Sequence, residues 1–238
     1  MIGELTALVE RAEALLAKAS AVGESARVVV GITGSPGAGK TTLAVALVEA
    51  LNTRDAESGA SGASGAPAVH VPMDGFHLAN TTLDRLGLRD RKGAIETFDG
   101  WGFVGLLERL RRETDHTVYA PGFDRRLDEP VAGEIAIEAS ARVVVVEGNY
   151  LLADAEPWRR VRGLLDEAWF CATDEGMRVQ RLVARHTEFG RTPEAARAWA
   201  LEVDGRNALG IEASRARADL VVSGATGALL DARASATQ

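Results

Sequence analysis

The 238 residues hold one cysteine, Cys171. No internal disulfide can form, and the neighbours "EAWFCAT" give this thiol a packing role in a buried strand. No run of about 18 apolar residues occurs, so no membrane span is expected. The first helical pattern contains acids and no small-residue cleavage site, and so does not read as a secretory signal. A long basic run is also absent: 27 Lys and Arg against 34 Asp and Glu leave a net charge of −7. That balance speaks against a nucleic-acid partner. Aromatic residues make up only 5% of the chain. Trp101, Trp158, Trp169 and Trp199 fit core or lid packing better than a base-stacking platform. The expectation is a cytoplasmic protein with a small-molecule partner. A hydrophobic content of 46% over this length suits one domain, 1–238, with a small lid.

Apolar residues recur at helical spacing over 4–19, "ELTALVERAEALLAKA". "RVVVGIT" (27–33) is β-rich and reads as a central strand, followed by glycines and a helix from about Lys40 to Asn52. Residues 55–67 are rich in Gly, Ser and Ala and cannot pack a core; they read as a flexible surface loop. A second strand covers 68–73, with helical patterns at about 78–87 and 100–112. "TVYAPGF" and "EIAIEA" resemble the strands of a hairpin within an excursion over about 76–135. "RVVVVEG", "EAWFCAT" and "ADLVVSG" supply three more strands. A charged helical region over about 174–208, broken near Gly190 and Pro193, reads as a lid. Strands alternating with helices imply an α/β fold with a parallel sheet covered on both faces.

Residues 34–41, "GSPGAGKT", fit G-x-x-x-x-G-K-[ST] in full, after a strand and before a helix. Gly34, Gly37 and Gly39 allow the close backbone approach that a Cβ would block. With Ser35, Pro36 and Ala38 they can aim N–H groups at phosphate oxygens, at the positive end of the following helix. Lys40 brings a compact cation to the β/γ-phosphates. Thr41 offers a hydroxyl to Mg²⁺, and Thr42 can support the α-phosphate. ATP and Mg²⁺ are the expected cofactors.

The string implies a nucleotide but not a reaction. "VPMDGFHLAN" (71–80) carries Asp74 out of an apolar strand. Ligands of a parallel sheet lie at the carboxyl ends of its strands, so Asp74 is expected near the γ-phosphate if the two strands are near neighbours. An alcohol acceptor benefits from a positioned proton acceptor, so a carboxylate there points to a hydroxyl substrate. Capping of the helix at 78–87 is the alternative role for Asp74. "VVVVEGNY" delivers Glu147 at the end of a buried strand, where an acid commonly meets the Mg²⁺ shell.

Taken in order, "GITGSPGAGKTTLA", "MDGFHLANTTLDRLGLRDRKGAIETFD", "APGFDRRLDEPV", "VVVVEGNYLL", "RLVARH" and "ADLVV" resemble the P-loop kinases that include uridine kinase, bacterial pantothenate kinase and phosphoribulokinase. They are also similar to bacterial nucleoside/nucleotide kinase family proteins, some of them candidate fructose-transport kinases, and the likeness covers about residues 27–222. It implies a P-loop NTPase fold with a five-stranded parallel core, Asp74 as the base at the acceptor hydroxyl, and Lys92, Glu96 and Asp99 near the acceptor pocket. Asp99 as the cap of the helix from Gly100 is the competing reading. Phe123 stands where these relatives have tyrosine, and Arg125 where pantothenate kinase has histidine, so the acceptor is expected to differ from theirs. Arg125 is then either a grip for a substrate carboxylate or phosphate or a solvated cation. His77 and Asn207 are further acceptor-side candidates. Arg178, Arg181 and Arg185 share one helix face, and in relatives such lid arginines neutralise the transferring phosphoryl group. A homodimer is one assembly open to such a chain.

Two other classes compete with a kinase. A regulatory GTPase would need a guanine-reading Asn-Lys-x-Asp. The nearest match, "NTRD" at 52–55, lacks the lysine, and "DRLG" at 84–87 lies in a helical pattern. A DNA-associated ATPase is disfavoured by the negative charge.

Overall fold

The computed structural model describes residues 4–21, 27–58 and 68–231. In chain order the elements are α1 (Thr6–Ser20), β1 (Val28–Thr33), α2 (Lys40–Ser58), β2 (Ala68–Pro72), α3 (Asn80–Leu86), α4 (Gly100–Arg112), β3 (Val118–Asp124), β4 (Glu129–Ile137), β5 (Val143–Gly148), β6 (Glu167–Ala172), α5 (Glu175–Glu188), α6 (Pro193–Trp199), α7 (Gly205–Ala213), β7 (Leu220–Ser223) and β8 (Leu229–Leu230). The main sheet has the order β2-β5-β1-β6-β7-β8. Its first five strands are parallel, as the strand–helix alternation predicts, and the short β8 adds an antiparallel edge.

Side-chain parity explains why these runs settle as central strands. Val28, Val30 and Ile32 of β1 point into one core, and Val29 into the other. The same alternation divides Val143 and Val145 of β5 from Val144 and Val146. In β6 it divides Trp169 and Cys171 from Ala168 and Phe170. All six residues of β1, and all six of β5, are buried. A strand apolar at every position can be stable only when both faces are covered. The first face is covered by α1 and α2 through Leu8, Val9, Leu43 and Leu47, the second by α4 through Phe103, Leu107 and Leu110. Each fully buried side chain of this size contributes about 2 kcal/mol.

Three boundaries differ from the sequence expectation. α2 continues past Asn52 to Ser58, because Arg54, Ala56 and Glu57 are good helix formers and Arg54 pairs with Glu13 of α1 at 3.1 Å. Of the predicted 55–67 loop, 55–58 are therefore helical, and 59–67 lie outside the described residues. β2 ends at Pro72, and Asp74 sits in a 3₁₀ turn, Met73–Phe76. The predicted hairpin exists as β3 and β4, paired antiparallel. β3 lies so close to that turn that a Cβ on Gly75 would overlap the Pro121 carbonyl.

Candidate active site

The strand order places three functional segments side by side. β5 lies between β1 and β2, with Ile32 and Pro72 both in register with Glu147. The strands preceding the glycine loop and Asp74 are therefore second neighbours, and Glu147 rises between them. A cleft of about 810 Å³ opens above these carboxyl ends. Pro36, Gly37, Gly39, Lys40, Thr41 and Thr42 form one wall. Asp74, His77, Lys92, Phe123 and Arg125 form another, and Arg181 and Arg185 of α5 close the cleft from above.

The loop's shape depends on glycine. Gly39 has φ +103°, and a Cβ there would strike the Gly224 carbonyl; Gly34, at φ +148°, lies equally close to the Cys171 carbonyl. Lys40 is buried and donates to the Ser35 carbonyl at 3.0 Å. Burial pushes its pKa down, against the opposing pull of Glu147 and Asp74. Ser35 is also buried and donates to Glu212 Oε1 at 2.5 Å, which ties the loop to α7 rather than aiming this hydroxyl into the cleft. Gly34 and Ala38 likewise support the loop from behind its cleft face.

Thr41 Oγ1 donates to Glu147 Oε1 at 2.9 Å. Burial works against ionisation of Glu147, but His70, Lys40 and Thr41 outweigh it and hold the carboxyl below the usual range. His70 Nε2 is 3.7 Å from Glu147 Oε1, too far for a hydrogen bond, and has no hydrogen-bond partner among the described residues. A hydroxyl and an ionised carboxylate, both hard oxygen donors beside a phosphate loop, fit a magnesium ion that takes its other ligands from phosphate and water.

Asp74 is partly exposed to the cleft, with 29% of its side-chain surface accessible. Its carboxylate has one side-chain contact among the described residues, Arg125 Nη2 at 3.5 Å. His77 Nδ1 lies 2.8 Å from the Asp74 backbone carbonyl, and its ring is held between Phe98 and Phe123, with centroids at 3.9 and 4.8 Å. Burial pushes the His77 imidazole below its ordinary pKa. Lys92 reaches the cleft but is engaged: its ammonium donates to Asn80 Oδ1 at 2.7 Å and pairs with Asp128 Oδ2 at 2.8 Å.

Three candidate acceptor residues are not brought to the cleft. Asp99 is exposed and caps α4, accepting from the Gly102 N–H at 2.8 Å. The competing reading is the one observed, since a carboxylate at that position satisfies a free helix donor. Asn207 donates to the Gly93 carbonyl at 3.4 Å, where Tyr150 Oη also donates at 2.7 Å, so it braces the cleft wall from outside. Glu96 pairs with Arg91 at 2.5 Å and lies outside the lining as well.

The three arginines of α5 divide by partner. Arg178 is buried and donates to the Pro36 carbonyl at 3.4 Å. Arg181 Nη1 lies 3.3–3.4 Å from the carbonyls of Gly37, Ala38 and Gly224. The Arg185 side chain lines the cleft with no hydrogen bond or ion pair among the described residues. Burial lowers its pKa, Arg125 across the cleft adds to this, and Asp204, Asp74 and Glu147 oppose both.

His186 and Asp204 also line the cleft and pair at 2.8 Å. Sequence reading missed Asp204 because it is carried by a π-helical turn, Ala200–Asp204, that shifts the helical phase between α6 and α7. It missed His70 as well, although a lone polar residue inside "AVHVPM" was a visible signal.

The family model for the phosphoribulokinase/uridine kinase family matches residues 29–226. The protein YggC of Escherichia coli K12 is 35% identical over 209 residues, spanning 87% of this chain and 82% of its own. The ATP-dependent kinase-like protein notR' of Aspergillus versicolor is 41% identical over 133 residues, 53% of this chain and 77% of its own. A solved structure from Silicibacter sp. TM1040, described as a candidate fructose transport system kinase, superposes with a TM-score of 0.73 at 39% identity. It covers 87% of this chain and 98% of the other.

Proposed function

This chain belongs to the phosphoribulokinase/uridine kinase family of P-loop kinases, and from that premise we propose that it transfers the γ-phosphoryl group of MgATP to a hydroxyl of a small-molecule acceptor. The carrying observation is the Asp74 carboxylate, open to the same cleft as the glycine loop and tied there only by one 3.5 Å contact. A carboxylate so placed is free to accept a proton, which a residue locked in a short ion pair is not.

Asp74 takes the proton of the acceptor hydroxyl as that oxygen bonds to the γ-phosphorus and the bond to the β-phosphate oxygen breaks. Lys40 and the N–H groups of residues 37–42 hold the phosphates at the start of α2. Thr41 and Glu147 would hold Mg²⁺, which would supply neutralisation of the phosphate charge. Arg185, whose side chain makes no hydrogen bond or ion pair among the described residues, stabilises the charge that builds up on the transferring group. Arg178 and Arg181 keep the loop in shape through its carbonyls, a positioning role. The His77–Phe123 stack forms an apolar floor beneath the acceptor, and closure of α5 and α6 excludes water.

A coupled ADP-release screen over sugars, polyols, nucleosides and pantothenate tests the reading. Turnover should depend on one class of alcohol. ADP release that no alcohol stimulates, yet a protein or DNA partner does, would contradict it.

A further inference from the structure

Four cations, Arg89, Lys92, Arg125 and Arg126, line the acceptor half of the cleft against two acids, Asp74 and Asp128. This half is built from two turns that face each other. One, Arg89–Arg91, leads into Lys92; the other joins β3 to β4 and carries Arg125, Arg126 and Asp128. The Lys92–Asp128 pair at 2.8 Å clamps one turn to the other. Asn80 strengthens the clamp, with its amide side chain on the Asp128 carbonyl at 2.9 Å and its backbone N–H on both oxygens of Glu129 at 3.0 Å. Lys92 and Asp128 therefore neutralise one another. Arg89 has only a 3.3 Å contact with an exposed Asp84. Arg126 makes no side-chain hydrogen bond or ion pair among the described residues, although its charge acts on the exposed Asp124 carboxylate, and Arg125 has only the long contact to Asp74.

If Asp74 is to serve as a base, it cannot also be the standing counter-ion of Arg125. The triphosphate wall does not need these cations either. It already has Lys40, the loop N–H groups and Arg185, and Arg125 and Arg185 repel each other across the space between the two walls. Held apart in this way, two guanidinium groups suit two separate anions better than one. The loop that carries Arg125 and Arg126 is also shaped to present them. Asp124 Oδ1 accepts from the N–H groups of Arg126 and Leu127 at 2.7 and 3.1 Å, which fixes the turn, and both arginines line the cleft.

We infer that the acceptor carries its own anionic group, a phosphate or a carboxylate, which Arg125 and Arg126 grip from the β3–β4 turn while the reacting hydroxyl lies at Asp74. This rests on the kinase reading above and narrows it to anion-bearing alcohols. A neutral nucleoside or sugar would leave Arg125 with no anion but the base itself. A charged group would satisfy them through charge-assisted, forked hydrogen bonds and orient the hydroxyl at the same time.

The full chain is saturated with Mg²⁺ and a non-hydrolysable ATP analogue, so that the γ-phosphate position is filled. Inorganic phosphate, acetate and glycerol are then titrated separately, with thermal unfolding as the readout. We expect saturable stabilisation by phosphate or acetate and none by glycerol. Which anion binds tighter tells a phosphorylated acceptor from a carboxylated one. Arg125→Ala and Arg126→Ala should each weaken the anion about tenfold or more while analogue affinity stays within about twofold. Absence of a saturable anion effect, or an effect unchanged in both variants, overturns the inference. In the turnover arm, matched sets are compared: glycerol with glycerol 3-phosphate and glycerate, ribose with ribose 5-phosphate and ribonate. A kcat/KM preference for an anionic member of about tenfold supports the inference. Equal or better use of the neutral member overturns it and leaves the kinase reading standing, whereas failure of the wild-type chain to bind the analogue at all would strike that reading instead.

Discussion

Arg185→Ala should slow phosphoryl transfer by roughly a thousandfold and leave MgATP affinity within about threefold. The Arg185 side chain faces the cleft with no hydrogen bond or ion pair among the described residues, so its charge is available to the transferring group. A unit charge about 4 Å from developing negative charge, at an effective dielectric near 20, is worth about 4 kcal/mol, which is a thousandfold in rate. Removing the side chain breaks no hydrogen bond and relieves the repulsion with Arg125, so stability should fall by less than about 1 kcal/mol. Arg181→Ala is the contrast. It removes contacts at 3.3–3.4 Å to three carbonyls and should cost about 1–2 kcal/mol of stability. It should also weaken nucleotide binding more than it slows the bound complex. The assay is acceptor-dependent ADP release with nucleotide affinity measured separately, alongside urea unfolding. A variant Arg185→Ala that keeps more than about a third of wild-type kcat, or that loses nucleotide affinity instead, would refute the division of roles among the α5 arginines.

Two further outcomes follow from the acceptor wall. Gly75→Ala forces a methyl group against the Pro121 carbonyl, so β3 must move; we expect a loss of about 2 kcal/mol or more in urea unfolding, with a raised KM for the acceptor. His77 has its imidazole pKa lowered from 6.5 by burial, so the unfolded chain takes up this proton first as pH falls. The stabilisation is fully present above about pH 6.5 and is lost as pH drops from there through the lower folded value. His77→Gln should flatten that part of the pH–stability curve measured by urea unfolding, and an unchanged slope below pH 6.5 would count against it.

The central strands, the glycine loop and Glu147 were legible because each depends on local pattern. Unbroken valine runs announce strands buried on two faces, and a phosphate loop needs glycine where the backbone comes close. Asp74 was legible as an acid leaving an apolar strand. Its relation to Glu147 was not, because strand order is set by crossovers that no local pattern records. Asp99 shows the limit differently: an acid one residue before a helix serves capping and ligand binding equally well on sequence alone, and the Gly102 N–H decides it. The three arginines of α5 share spacing and chemistry, and they separate only when the loop carbonyls are seen to engage two of them. Asp204 reached the cleft through a π-helical turn, which a 3.6-residue period does not foresee.

The most direct test is single-turnover phosphoryl transfer by Asp74→Asn, with MgATP affinity measured on the same protein. The amide keeps the shape of the side chain and its place in the Met73–Phe76 turn but cannot take a proton. We expect transfer to fall by about 10²–10⁴-fold with nucleotide affinity nearly unchanged. Transfer within a few-fold of wild type would contradict the assignment of Asp74 as the base, and with it the proposed reaction at this cleft.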